Sequence, residues 1–170
     1  MNYKNQIYSF FIHDEKKFSR NYSLPSGYQF FIFTPSFLRL SLHGKNTLLY
    51  YFWYICSFGK YKIYYVMFDN SVVHFSHILP KIPRFKFMKK GDFEIGPCWT
   101  DPNHRGKNLY PCTLKKIIED YKDHAKNIYI FTEKNNKSSL SGILKAGFVF
   151  WKSGQKKGLF RSYMVDNEND

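Results

Sequence analysis

Apolar positions fall into short aromatic and β-branched runs bounded by turn residues, a strand pattern, interrupted by stretches of helical spacing. Tyr28 to Phe33 reads as a strand that Thr34-Pro35 ends, because the residue before a proline is pushed out of the helical region. Leu48 to Cys56 is apolar nearly all round and predicts a buried helix. Tyr61 to Phe68 and Val72 to Leu79 flank Asp69-Asn70-Ser71, whose turn chemistry predicts an antiparallel hairpin. Pro80, Pro83 and Gly91 then mark a loop before a strand from Phe93 to Thr100.

Beyond Pro102, the positions Tyr110, Leu114, Ile117, Ile118 and Tyr121 follow helical spacing, with Pro111 tolerated in the first turn. Ile128 to Thr132 predicts a short buried strand, and Ser139 to Ala146 a helix ended by Gly147. Phe148 to Lys152 and Leu159 to Val165 read as a last hairpin around Ser153 to Gly158. Residues 1 to 27 carry the weakest pattern, and the polar tail Asp166 to Asp170 is expected to fray. No repeat or composition shift marks a second unit, so the expectation is one domain over residues 1–170. The element order implies an α/β or α+β class built on a mixed sheet.

Charge narrows the partners. With 26 Lys and Arg against 13 Asp and Glu, the net charge is +13, which favours a polyanion: nucleic acid, an anionic membrane or a phosphate-rich small molecule. The abundance of Lys, Asn, Tyr, Phe and Ile fits a nucleotide bias in the source genome equally well, which would leave the basic residues as a solvated face. The three cysteines, Cys56, Cys98 and Cys112, are odd in number and show no paired spacing, so neither a disulfide framework nor a zinc site is expected. A reducing cytoplasm suits them. Ile7 to Ile12 is too short, and too soon followed by charge, for a signal peptide. Leu48 to Cys56 falls well short of the roughly 20 residues a membrane span needs, and membrane contact is not expected there.

The most telling stretch runs from Phe93 to Phe148. A strand leads through the turn Asp101 to Asn108 into a helix, and such a turn can hold an anion because unpaired N–H groups at a helix start point outward, aided by the helix dipole. Gly106 allows close backbone approach, and Arg105 and Lys107 add formal charge. Asn136 leads the second helix into Gly147-Phe148.

This ordered set resembles the GNAT superfamily of acyl-CoA-dependent N-acetyltransferases, with weaker agreement from Tyr61 to Val165. The resemblance implies a central, mostly antiparallel sheet whose middle strands splay, with acetyl-CoA as the acyl donor. The turn from Arg105 through Gly106, Lys107, Asn108 and Leu109 to Tyr110 would then grip the coenzyme pyrophosphate. Arg105 matches the family pattern, while Asn108 and Tyr110 stand where small residues are usual; Asn tolerates positive φ, and Tyr is a bulkier departure. The break would fall at Gly96-Pro97, placing Cys98, Trp99 and Thr100 against the acyl group and pantetheine. Cys98 would act through its N–H as an oxyanion donor, a covalent acyl-cysteine being the sharper alternative. Asn136 would touch the pantetheine arm and Ser139 the pyrophosphate or ribose. The tyrosine that many members aim at the departing thiolate falls at Ile143, so water or another group would have to serve.

An amine acceptor must lose a proton, which calls for a base near the break. Glu94 is the first candidate and His77, on the preceding strand beside His74, the second. The segments Val72 to Ser76, Pro83 to Phe85 and Trp99-Thr100 also resemble GNAT proteins of bacterial polysaccharide gene clusters. An amino sugar, free or nucleotide-linked, is therefore the expected acceptor, with no metal and a monomer or homodimer as the assembly. Two alternatives stand beside this reading: a basic nucleic-acid-binding protein, although no recognised motif for one occurs, and a coenzyme-binding protein without efficient transfer.

Overall fold

In a computed structural model, residues 6–16, 23–42, 48–157 and 162–166 are described. The elements run β1 (Ile7–His13), β2 (Gln29–Phe33), α1 (Leu48–Cys56), β3 (Lys62–Phe68), β4 (Ser71–Pro80), β5 (Phe93–Thr100), a 3-10 turn (Pro102–His104), α2 (Leu109–Tyr121), β6 (Ile128–Glu133), α3 (Lys137–Lys145), β7 (Phe148–Lys157) and β8 (Ser162–Val165). The strands form one sheet in the order β2-β3-β4-β5-β6-β1-β7-β8. Every pairing is antiparallel except that of β5 with β6. The mixed α/β architecture expected from the element order is therefore present.

Side-chain alternation along the strands divides the core between the two faces of this sheet. On one face, Tyr50 and Trp53 of α1 pack with Ile63, Tyr65, Leu79 and Phe10. On the other, Leu114 and Ile117 of α2 and Ile143 of α3 pack with Tyr64, Ile78, Ile95 and Ile130. The turn joining β3 and β4 has both Asp69 and Asn70 at positive φ, the backbone that matches the twist of a tight hairpin.

Three sequence expectations need correction. The poorly patterned amino-terminal region supplies β1, a central strand held between β6 and β7. Tyr8, Ser9, Phe10 and Phe11 are buried in succession, with Phe10 and Phe11 on opposite faces, so no alternation advertises the strand. The segment Ser153 to Lys157 continues β7 rather than turning, because Ser153 and Gly154 pair with Ser9 and Tyr8 of that unforeseen strand. Finally, α1 is not buried all round: Tyr50 and Trp53 are buried, Tyr51, Tyr54 and Cys56 are partly so, and Leu48, Leu49, Phe52 and Ile55 are exposed. Gly158 to Arg161 and Asn167 to Asp170 lie outside the described residues.

Because β1 carries core on both faces, truncating it should damage the whole molecule. Phe10 is fully buried against Phe87, Phe131 and Tyr163. Phe10→Ala is expected to cost about 3–5 kcal/mol of stability in urea denaturation. A loss under about 1 kcal/mol would mean that β1 is peripheral to the fold.

Candidate functional site

β5 and β6 remain paired only through Phe93–Ile128, Glu94–Tyr129 and Ile95–Ile130. Beyond Ile95 the two strands part. The break falls at Gly96-Pro97, a cis peptide with Gly96 at φ +154°, where the register with β4 also shifts between Ser76 and Ile78. From Cys98 to Thr100, β5 keeps its ladder with β4 through Ser76–Cys98, Phe75–Trp99 and His74–Thr100. Its other edge, released from β6, borders a cleft of about 380 Å³ that the starts of α2 and α3 close.

The mouth of the cleft is built from the turn before α2. Asp101 caps the 3-10 turn by accepting from the Asn103 N–H, and Arg105 Nε donates to the Thr100 carbonyl at 3.2 Å. Gly106 takes φ +78° with open space where a Cβ would stand, so conformation rather than crowding selects glycine there. Asn108 takes the left-handed conformation at φ 57°, and its side-chain oxygen accepts from Lys145 at the end of α3. Across the cleft, Asn136 caps α3 by accepting from the Ser139 N–H and the Ser138 hydroxyl.

Of the residues singled out from sequence, Cys98, Trp99, Thr100, Arg105, Gly106, Asn108, Leu109, Tyr110, Asn136 and Ser139 line this one cleft. Lys107 does not. Its ammonium donates to the Tyr28 hydroxyl and lies over that ring, beside His104. His77 is also elsewhere: it is buried on the α1 face among Tyr50, Trp53, Tyr61 and Phe75, outside the cleft lining. The loop between β4 and β5 contributes Ile82, Phe85 and Met88 to the core and no side chain to the cleft lining. The sequence reading missed Ser138, Ser141, Gly142 and Lys145, for which only position on α3 gave a signal. Among the described residues no carboxylate lines the cleft, whereas Arg105 and Lys145 do, so it is electrostatically suited to an anion.

Behind the cleft lies a connected row of polar groups. Thr100 Oγ1 is 2.7 Å from His74 Nδ1, and His74 Nε2 is 3.0 Å from Ser76 Oγ. The Ser76 and Tyr110 hydroxyls also lie beside the Cys98 thiol. Burial lowers the His74 pKa to about 3, so this imidazole is neutral and structural. Burial pushes the Cys98 thiol up to about 12, the two hydroxyls opposing that rise. A thiol so rarely ionised is a poor nucleophile, which argues against an acyl-cysteine.

Tyr110 occupies the position where a small residue was expected, and the packing shows how it fits. A Cβ on Gly142 would collide with the Tyr110 ring, so the ring of α2 lies directly over a glycine of α3. Ile143, the next residue, is fully buried in the core and does not line the cleft. Glu94 is buried just behind the break, its carboxylate folded toward Gly96. Desolvation raises its pKa well above the ordinary carboxylate value, with Arg84 opposing. Among the described residues, no three His, Cys, Asp or Glu side chains gather as a metal site.

The fold is that of GNAT acetyltransferases. An acetyltransferase of that family from Colwellia psychrerythraea superposes with a TM-score of 0.61 at 12% identity, over 85% of this chain and 53% of that one. A tandem GNAT protein from the clavulanic acid biosynthesis pathway gives 0.58 at 12% identity, over 88% and 51%. A predicted acetyltransferase with acetyl-CoA from Clostridium acetobutylicum gives 0.51 at 15% identity, over 72% and 90%. The chain thus spans about half the length of several solved structures it matches. No family profile matches the sequence, and no curated protein matches it.

The position of Glu94 has a measurable consequence. A carboxyl whose folded pKa is raised stabilises the fold fully below its unfolded pKa, and that contribution is lost as pH rises toward the folded value. Glu94→Gln, which cannot ionise, should therefore gain stability relative to the unaltered protein as pH rises above the usual carboxylate range. Urea midpoints measured from pH 4 to pH 8 test this, and a constant difference between the two proteins would contradict the burial of an ionisable Glu94.

Proposed function

We propose that this protein is an acyl-CoA-dependent N-acyltransferase that moves an acetyl group to a primary amine by direct attack in a ternary complex. The observation that carries the reading is the cleft itself: a strand edge freed after Ile95, ending at a basic, glycine-containing helix start. Arg105, the N–H groups around Asn108 and Leu109, and Lys145 would hold the pyrophosphate of coenzyme A. Pantetheine would lie along the freed edge of β5, using backbone groups from Cys98 to Thr100 as a strand partner, with Asn136 and Ser139 across from it.

The chemistry then assigns roles. The amine nitrogen attacks the thioester carbonyl, and the Cys98 N–H stabilises the oxyanion that develops. Glu94, which lies just behind the break and not in the cleft lining, is the candidate for taking the amine proton; its raised pKa makes it a stronger base once ionised, at the cost of requiring a higher pH to be ionised. The departing sulfur meets the Tyr110 hydroxyl, turned from Cys98. Tyrosine here holds its proton far more tightly than a thiol with a pKa near 8.5, so Tyr110 stabilises the thiolate by hydrogen bonding and does not surrender the proton. This assignment answers the apolar Ile143: the hydroxyl arrives from α2, over Gly142.

An amino sugar, free or nucleotide-linked, is the acceptor class we favour, as in polysaccharide biosynthesis, because its phosphates would suit a chain of net charge +13. A single catalytic domain in the cytoplasm, as monomer or homodimer, completes the reading.

Two variants test it. Each charge-assisted hydrogen bond contributes about 1.5–3 kcal/mol, so Arg105→Ala should weaken acetyl-CoA binding roughly tenfold or more in calorimetry. Tyr110→Phe should leave that affinity nearly intact and slow single-turnover acetyl transfer by about 10- to 100-fold. Unchanged affinity in the first variant would remove the turn from the site. Unchanged transfer in the second would return thiolate departure to water, and a native protein that binds acetyl-CoA yet acylates no amine in a panel including amino sugars would be a coenzyme binder.

A further inference from the structure

The uncovered side of α1 belongs to a larger apolar face. Leu48, Phe52 and Ile55 lie at helical spacing on its outer stripe, with Leu48 88% and Ile55 63% exposed. Beside it, two backbone bonds between Ser36 and Arg39, at 2.8 and 3.1 Å, make a tight turn with Phe37 and Leu38 at its tip. Those tip residues are 62% and 90% exposed, and the Phe37 ring stands 6.1 Å from Tyr51, joining the tip to α1. Just beyond the helix, Phe58 takes φ +53° and is 90% exposed. Turn tips and left-handed positions ordinarily carry small polar residues, so Phe37, Leu38 and Phe58 are bulky apolar groups where local structure alone would not place them.

Charge distinguishes among possible occupants. Between Glu15 and Asp69 the sequence contains Arg39, Lys45, Lys60, Lys62 and three further basic residues, and no Asp or Glu. Arg39 follows the apolar tip and Lys60 follows Phe58, both exposed. A second copy of this chain would set an equally basic margin against its own. Nucleic acid would find phosphate contacts but little use for exposed leucine and isoleucine, which lack the flat face that stacks on bases. An anionic bilayer surface accepts both parts, apolar side chains at the acyl boundary and cations among the headgroups. At nine residues α1 is far too short to span.

We propose that the face formed by α1, the 36–39 turn and Phe58 docks this protein on the surface of an anionic lipid membrane. Because α1 packs on the sheet face opposite α2 and α3, the cleft stays open to solvent when the protein is docked.

Co-sedimentation of the full chain with vesicles of phosphatidylcholine, with and without phosphatidylglycerol, tests the proposal. The expected result is sedimentation with the anionic vesicles that weakens as salt is raised. Leu38→Ser with Phe58→Ser should lower the bound fraction constant at least tenfold. Arg39→Glu with Lys60→Glu should lower it comparably on anionic vesicles. All four side chains are exposed, and an unchanged thermal transition checks that each variant folds. Failure to sediment, or sedimentation undiminished by the apolar pair, would overturn the proposal. So would a concentration-dependent dimer that the apolar pair renders monomeric while vesicles remain unbound, which would give the face to a second copy.

Discussion

Everything at the cleft depends on β5 being paired on both sides for part of its length and on one side for the rest. Through Ile95 it is locked between β4 and β6; beyond Gly96 only β4 holds it. A freed strand edge inside a sheet leaves peptide groups that require partners, because a buried backbone N–H or C=O without one costs as much as a lost hydrogen bond. The fold satisfies that requirement on one side and offers the other to a ligand. The same divergence leaves room between α2 and α3 for their starts to converge on the opening, so strand edge, basic turn and Asn136 cap meet in one place.

Behind that edge, the row from Thr100 through His74, Ser76 and Cys98 to Tyr110 links β4, β5 and α2 by side-chain contacts. Such a row fixes the rotamers of groups that border the cleft, Thr100 and Tyr110 at its two ends. Precision at a site of this kind comes from support of that sort rather than from the lining residues alone.

Much of the sheet and of the cleft rim was legible because its signals are local. The Asp69-Asn70 turn, the Gly96-Pro97 break, the Arg105 to Asn108 turn and the Asn136 cap each announce a backbone conformation through their own residues. What escaped was set by partners far along the chain. β1 shows no alternation because it is buried on both faces, and the continuation of β7 follows from β1. The place of His77 depends on which sheet face α1 covers, which strand periodicity cannot decide. Tyr110 looked like a misfit until Gly142 stood beneath it; the compensation spans two helices, and only the spatial pairing of a large residue with an absent side chain reveals it.

The insertion of β1 also orders events during synthesis. This strand leaves the ribosome well before its neighbours, since Tyr8 must wait for Glu133 and Gly154 to close the ladders on its two sides. Sequence-distant pairing of this kind slows folding, because the intervening loop must be closed before any contact rewards it. Until then IYSFFIH is an apolar strand with two unpaired edges, the sort of segment that invites pairing with the wrong chain. The nascent protein is thus most exposed to misassembly after most of its helices exist and before the sheet can be filled, and a holding chaperone would have its greatest effect in that interval.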